Sequence, residues 1–572
     1  MDAEPLPGPL DTLARAYWDL YLEANPLFAT SIGDPRWDDQ LADPTPEGSA
    51  ITRARYAALA DRISALDRTG WDAETGITHS ALLESISGDI ALLDTGLLDW
   101  NVDSLEGVPA DFFLVPDYQC PETPDEGRRL ISRWREMATY TDAHLATLRR
   151  SLGDGRVACH APVARTISIL EEVLDRPDAE SPLMAPLAEV DVLGTWTTAE
   201  RERFAAALRD VVTTGIRPAF ERLHDALVTE ILPASRPDDR PGMCHVTHGD
   251  EGYRQLIRVH TSLDLGPDEL HALGLAEIDR IDRELTQLAA RTIGTTTLAD
   301  ALTALRGDPS LYFSTRDEFY AKAEYSLARA TEAIPDWFGR LPQAACEIER
   351  MGSHEEEHSS IAYYRQPAPD GSRPGQYYLN TAHPETRPRY ELEALTYHES
   401  IPGHHLQIAI GQELPQTAEF RRHLGPTAFF EGWGLYTERL ADEMGLYTGD
   451  LDRIGVLSYD AWRAARLVVD TGMHAMGWPR DRAIEYMKEH TALASNNIVN
   501  EVDCYIVLPG QALAYKAGQL EMLRLRAETR DRMGPSFDIR AFHDVVLGNG
   551  AIPLPTLRDV VERWAERATA AA

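Results

Sequence analysis

The chain is 572 residues long, 43% hydrophobic, and carries a formal net charge of −37. That hydrophobic content excludes wholesale disorder, and the length permits large cores in more than one lobe. So acidic a chain argues against nucleic acid and anionic membranes, which need basic patches, and neither is expected as a partner.

In chain order, the opening Met-Asp-Ala-Glu-Pro-Leu-Pro-Gly-Pro-Leu has neither the basic start nor the apolar core of a signal peptide. No run of about 18 apolar residues follows anywhere, and the expected location is cytoplasmic. Apolar residues at i, i+3 and i+4 predict helices over 10–23, 50–66, 80–98, 126–152, 199–227 and 267–289. The proline-, arginine- and aspartate-rich stretch Pro233 to Pro241 reads as a linker. It divides an N-terminal helical lobe, 1–235, from a catalytic metal-binding lobe, 236–572, although one continuous helical body satisfies the same pattern. Strand signals are confined to 359–366 and 375–381, β-branched and aromatic runs that predict a hairpin with a long loop. The expected fold is mainly α, a multi-helix body around a central cleft with a small hairpin or sheet beside the metal-binding helix. The five cysteines are scattered, odd in number and form no close C-x-x-C pair, so they read as reduced.

Two segments carry metal-ligand chemistry. His354-Glu-Glu-Glu-His358 is a literal His-Glu-x-x-His, but three consecutive glutamates between Met-Gly-Ser and Ser-Ser offer no apolar face to seat a helix. Tyr397-His-Glu-Ser-Ile-Pro-Gly-His-His-Leu-Gln407 lies in an apolar setting, after Leu392-Glu-Ala-Leu-Thr. Neutral imidazoles bind zinc, and a glutamate beside the first ligand can take a proton from metal-activated water. The i+4 position is Pro402, and the next histidines, His404 and His405, fall at i+6 and i+7 from His398. On an undistorted helix His404 would be rotated roughly 120° from His398, and His405 would lie in line but about 10 Å away. The helix must therefore break, and Pro402-Gly403 supplies the means. His404 is the preferred second ligand and His405 the alternative.

This segment, with its His-Glu-x-x-Pro-Gly-His, resembles the bacterial family known as domain of unknown function 885, regarded as a relative of the gluzincin-like zinc metallopeptidases. The resemblance extends to Leu22-Glu-Ala-Asn-Pro-Leu-Phe-Ala-Thr-Ser-Ile-Gly-Asp34, Gly375-Gln-Tyr-Tyr-Leu-Asn-Thr381, Glu431-Gly-Trp-Gly-Leu-Tyr436 and Pro509-Gly-Gln-Ala-Leu-Ala-Tyr-Lys516, in the family's order. It implies a helical fold and a metal site and leaves the substrate open.

Two imidazoles leave a catalytic zinc one protein ligand short, and a glutamate from a second helix is a usual completion. Glu431 is the candidate, because it stands in an apolar, aromatic run where a carboxylate is costly unless paired or on a metal. Its other reading is an ion-pair partner of Arg439 or Arg466. Glu438, at i+7 on the same face, and His405 are expected behind the ligands. Arg466, Asp470 and His474 recur every four residues, so Asp470 can fix the tautomer of His474. His474 or Tyr505 is the candidate oxyanion donor, and Lys516 or Arg466 the anchor for a substrate carboxylate. Tyr378 and Asn380 would border the site if an extended peptide adds to the edge of the hairpin. The expected activity is zinc-dependent hydrolysis of an amide, foremost a peptide bond, with Glu399 as general base and then acid. The alternatives are an amidase, deacylase or lyase acting on a small metabolite, and a non-catalytic binding protein.

Overall fold

The computed structural model describes residues 8–104, 107–352, 356, 360–368, 371, 373–414 and 417–571. It is mainly α-helical, with a single three-stranded sheet among the described residues. The chain separates into two compact units. The first takes Met1–Leu66, Ile86–Tyr253 and Met473–Asp481, and the second Asp67–Ser85, Arg254–Gly472 and Arg482–Ala572.

In the first unit the long helix Pro124–Gly153 starts where Thr123 and Glu126 cap each other's backbone, satisfying N–H groups that the first turn leaves open. Its apolar stripe, Leu130, Trp134, Met137, Leu145 and Leu148, packs with Phe204, Leu208, Phe220 and Leu223 into one core. Arg133 is fully buried on this helix, and its guanidinium donates to Gln40 O, Gln119 Oε1, Thr30 Oγ1 and Trp37 O. The expected helix over 199–227 is continuous but widens into π-type turns at Val211–Ile216 and again at Leu227–Ile231. Pro218 and Pro233 follow these turns, and a proline cannot donate to the carbonyl four residues back.

The proline-rich stretch expected to be a linker is a fixed part of the first unit, whose main segment runs on to Tyr253. Arg236 supplies the reason. Its N–H bonds Ala158 O, its Nε donates to Val157 O and its Nη1 to Pro241 O, and its guanidinium lies over Trp100.

In the second unit β1 (Cys346–Arg350), β2 (Ala362–Arg365) and β3 (Gly375–Leu379) form a sheet in the order β1-β3-β2. β2 and β3 are the expected hairpin, antiparallel, with Ala362 opposite Leu379 and Arg365 opposite Gln376. β1 runs parallel to β3 on its other side and is not evident in the sequence, because Cys-Glu-Ile-Glu-Arg buries only Ile348. β3 is thus central, and β2 is the edge that packs against the helix Leu392–Glu399.

Candidate metal centre

The helix Leu392–Glu399 stops immediately after the candidate base. Ser400 leaves helical geometry at φ −109°, ψ −108°, the Ile401–Pro402 peptide is cis, and a new helix, His404–Gln412, begins after Gly403. The expected break is therefore present. Gly403 is required there: a Cβ on it would stand 1.9 Å from the carbonyl oxygen of His398 and 2.4 Å from that of Tyr397. Trp433 on the helix Thr427–Glu443 pins the turn by donating its Nε1 to Pro402 O at 3.0 Å.

The same helix brings in the third group. His398 Nε2 and His404 Nε2 each lie 3.6 Å from the same oxygen of Glu431, Oε2. One ligand atom from each of the three lies within 4.8 Å of the others. A tetrahedral ion with bonds of about 2.0–2.1 Å spaces its ligand atoms by about 3.3 Å, close to the two 3.6 Å separations, so His398, His404 and Glu431 are the residues that could hold such an ion. Gly434 makes room for it, since a Cβ there would stand 2.6–3.0 Å from the His398 ring. The two histidine rings face each other edge-on, with centroids 4.6 Å apart.

Glu438 sits one layer further in. Fully buried, it takes the His398 Nδ1–H at 2.8 Å, which fixes the ring with Nε2 directed at Glu431. His405 is engaged elsewhere. Its Nε2 donates to Ala344 O at 3.1 Å, its Nδ1 accepts the Tyr364 hydroxyl at 2.9 Å, and burial brings its pKa down to about 4. With both nitrogens committed, His405 has no atom for the cluster, and His404 is the histidine that the break turns toward His398. The competing reading of Glu431 as an arginine's partner does not hold: Arg439 pairs with Glu284 and Asp460, and Arg466 with Glu501. The other segment considered, His354-Glu-Glu-Glu-His358, lies outside the described residues except for Glu356, whose carboxylate pairs with Arg316.

The imidazoles and carboxylates of the cluster stabilise one another's charges. Burial, the largest influence on His398, opposes its charge, yet hydrogen bonds to Glu431 and Glu438 outweigh it and lift the pKa to about 9. Burial likewise pushes Glu431 up, but the two imidazoles hold it well below the usual carboxylate range. A zinc ion would need the neutral imidazole, so its binding here would expel the proton that His398 holds at neutral pH. Zinc affinity is therefore expected to rise about tenfold per pH unit from neutrality toward the His398 pKa, with about one proton released per ion. Calorimetry in buffers of different ionisation enthalpy measures that proton count, and a pH-independent affinity would contradict it.

A cavity of about 550 Å³ opens onto the cluster, with His398, Glu399, His404 and Glu431 in its wall. β2 contributes Tyr363 and Tyr364 to the same wall, and the helix Asp450–His474 contributes Trp462, Arg463 and Arg466. Arg466 is thus at the cavity, as expected, while Arg463 and its aromatic neighbours were missed.

Several other expected residues serve inside the protein. The Tyr505 hydroxyl donates to Glu501 at 2.6 Å and accepts from Trp462 Nε1 and Arg466 Nε, so it is committed to the wall behind the cavity; Tyr515 lines the cavity itself. Lys516 is fully buried and gives its ammonium to Asp460, Glu277 and Gln519. Asn380 is buried and ties the chain after β3, donating to Glu356 O and accepting the Ala382 N–H. Tyr378, on the central strand, stacks on Tyr363 with ring centroids 4.9 Å apart. Asp470 accepts the Gly510 N–H. His474 belongs to the first unit, where its Nδ1 accepts the Met243 N–H at 3.2 Å.

Fold and cluster together define a helical protein with a candidate His-His-Glu metal centre. The chain belongs to the DUF885 family, bacterial proteins of unknown function, whose model matches residues 26–561. Among solved structures it resembles the "putative lipoprotein" from Colwellia psychrerythraea at 25% identity and a TM-score of 0.90, covering 98% of this chain and 99% of that one. It shares its fold with a "putative lipoprotein of unknown function" from Shewanella oneidensis at 17% identity and a TM-score of 0.76, covering 97% of this chain and all of the other. No curated protein matches the chain.

Proposed function

We propose that the protein is a zinc-dependent hydrolase of amide bonds, with peptides as its foremost substrates. The observation that carries this reading is the convergence of His398, His404 and Glu431 in one cavity wall with Glu399 beside them. A zinc ion held by these three groups would supply Lewis acidity toward a carbonyl oxygen and toward water. Glu399, next in sequence to His398 and half-buried in the same wall, takes the proton of the attacking water and returns it to the departing amine. Glu438 keeps the His398 ring in the tautomer that a metal needs. β2 lines the cavity and is an edge strand among the described residues, so an extended peptide can lie along it through main-chain hydrogen bonds. That assigns to β2 the substrate-holding role expected of Tyr378 on β3 and of Asn380 just after it.

Protein purified without chelator is expected to carry one zinc per chain. His398→Ala and Glu431→Ala should lose it and His354→Ala keep it, as read by elemental analysis, and the wild type should cleave members of a peptide library. Zinc lost only on changing His354 would move the site, and a metal-loaded protein inert on every peptide and N-acyl amino acid would end the hydrolase reading.

A further inference from the structure

Tyr459, Trp462, Arg463 and Arg466 fall at i, i+3, i+4 and i+7 of the helix Asp450–His474 and so share a face, and all four line the cavity that holds Glu399. The guanidinium of Arg463 stacks 3.7 Å from the Trp462 ring centroid and 4.6 Å from that of Tyr459. That of Arg466 lies 4.6 Å from Trp462 and 4.3 Å from Tyr515. Two like charges are thereby fixed side by side by aromatic faces, and only 5% of Arg463 and 6% of Arg466 is exposed. Arg466 is answered by Glu501 at 2.7 Å, although its Nη1 has no hydrogen-bond partner. Arg463 forms no ion pair among the described residues, and its Nε and Nη1 are buried and unpartnered. Glu391, whose carboxylate feels the Arg463 charge, takes its hydrogen bond from Ser458 instead.

A buried guanidinium with empty donors is costly unless an anion completes it, and its planar fork matches a carboxylate. The aromatic stack holds each fork in one orientation, as a recognition site requires. In a chain of net charge −37, the guanidinium of Arg463, without an ion pair among the described residues, lines the cavity of the candidate centre.

We propose that Arg463 and Arg466 form the receptor for a substrate carboxylate, so that the preferred substrates are acyl amino acids or peptides carrying a free carboxylate near the bond that is cut. The bond broken rests on the amide-hydrolase reading above; the binding of the carboxylate does not. A terminal α-carboxylate and an Asp or Glu side chain offer the same chemistry, and the probes below separate them.

The test is binding to the full-length Glu399→Gln protein, followed by calorimetry and by intrinsic tryptophan fluorescence, in zinc-loaded and chelator-treated samples. The probes are N-acetyl-Phe-Leu, its C-terminal amide, N-acetyl-Phe-Glu-amide and N-acetyl-Phe-Gln-amide. One acid of the two pairs is expected to bind about 10- to 100-fold more tightly than its neutral counterpart, with or without zinc. The pair that shows the preference identifies the source of the carboxylate. Arg463→Gln should abolish the preference, and Arg463→Lys, which keeps the charge and loses the fork, should retain part of it while circular dichroism reports an intact fold. Equal binding of acid and neutral probes, no binding of any, a preference that vanishes with zinc, or one that survives Arg463→Gln would each overturn the proposal. Selective binding in a protein whose wild type cleaves nothing would sink the hydrolase reading alone.

Discussion

Exchanging Glu399 for glutamine is expected to lower kcat by a factor of about 10²–10⁴, the usual worth of a positioned general acid or base. Zinc content and KM should stay near those of the wild type. The side chain is close to isosteric, so cavity shape is kept and only the capacity to accept a proton is lost. Metal retention follows from the geometry, since the cluster is made by His398, His404 and Glu431 and the ring of His398 is held by Glu438, with Glu399 needed for neither. The measurement is steady-state kinetics on a cleaved library peptide beside elemental analysis of the same preparation. Full turnover in the zinc-loaded Glu399→Gln protein would mean that another group carries the proton. Loss of zinc together with turnover would instead place Glu399 among the ligands.

How far this site could be read from sequence depends on how local its determinants are. His398 and His404 are six residues apart, and the proline and glycine between them dictate a break whatever the rest of the chain does. Glu431 was legible because a lone carboxylate between Phe430 and Gly432 has few affordable fates. The long helices were legible for the same reason, since Pro124–Gly153 carries its own cap and its own apolar stripe. Where partners are distant, the sequence shows only that a polar residue is buried, and nothing about what it meets. Tyr505 and Lys516 stand in apolar runs much as Glu431 does, yet one faces Glu501 and the other Asp460. Arg463 was overlooked because arginine after tryptophan on an amphipathic helix reads as a solvated face, and only the fold shows that its Nε and Nη1 are buried without a side-chain partner among the described residues. β1 carried too little apolar content to be seen, and its pairing with β3 is what makes β3 the central strand.

The largest expected loss of stability follows from Lys516→Met. Lys516 on the helix Leu513–Met533 reaches Asp460 at 2.5 Å on the helix Asp450–His474, and Glu277 at 3.0 Å on the helix Pro267–Thr292. Asp460 also receives Arg439 and Arg280, and Glu284 closes the group through both arginines, so three cations meet three carboxylates. The rim of this network is wet, with Arg280 and Glu284 both over 40% exposed, and its pairs there are worth little. The inner end is dry: Lys516 is 0% and Asp460 1% exposed. Methionine preserves the packing volume but leaves a buried carboxylate in excess, a change that costs about 3–5 kcal/mol. Removing the exposed Arg453–Asp442 pair should cost less than about 1 kcal/mol, and denaturant titration of the two variants in parallel measures the difference. Because the three cations hold Asp460 far below its ordinary pKa against burial, its contribution is complete above the unfolded value and disappears only as pH falls through the lower folded one. The penalty of Lys516→Met should therefore persist across neutral and mildly acidic pH. It should also reach the metal centre. Gly518, two residues on, packs so closely against the Glu431 helix that a Cβ would stand 1.9 Å from Ala428 O, and a shift of its helix moves Glu431 relative to the two histidines. Lower zinc affinity in a still-folded Lys516→Met protein is the expected companion result, and equal stability of the two variants would show that the buried charges are solvated after all.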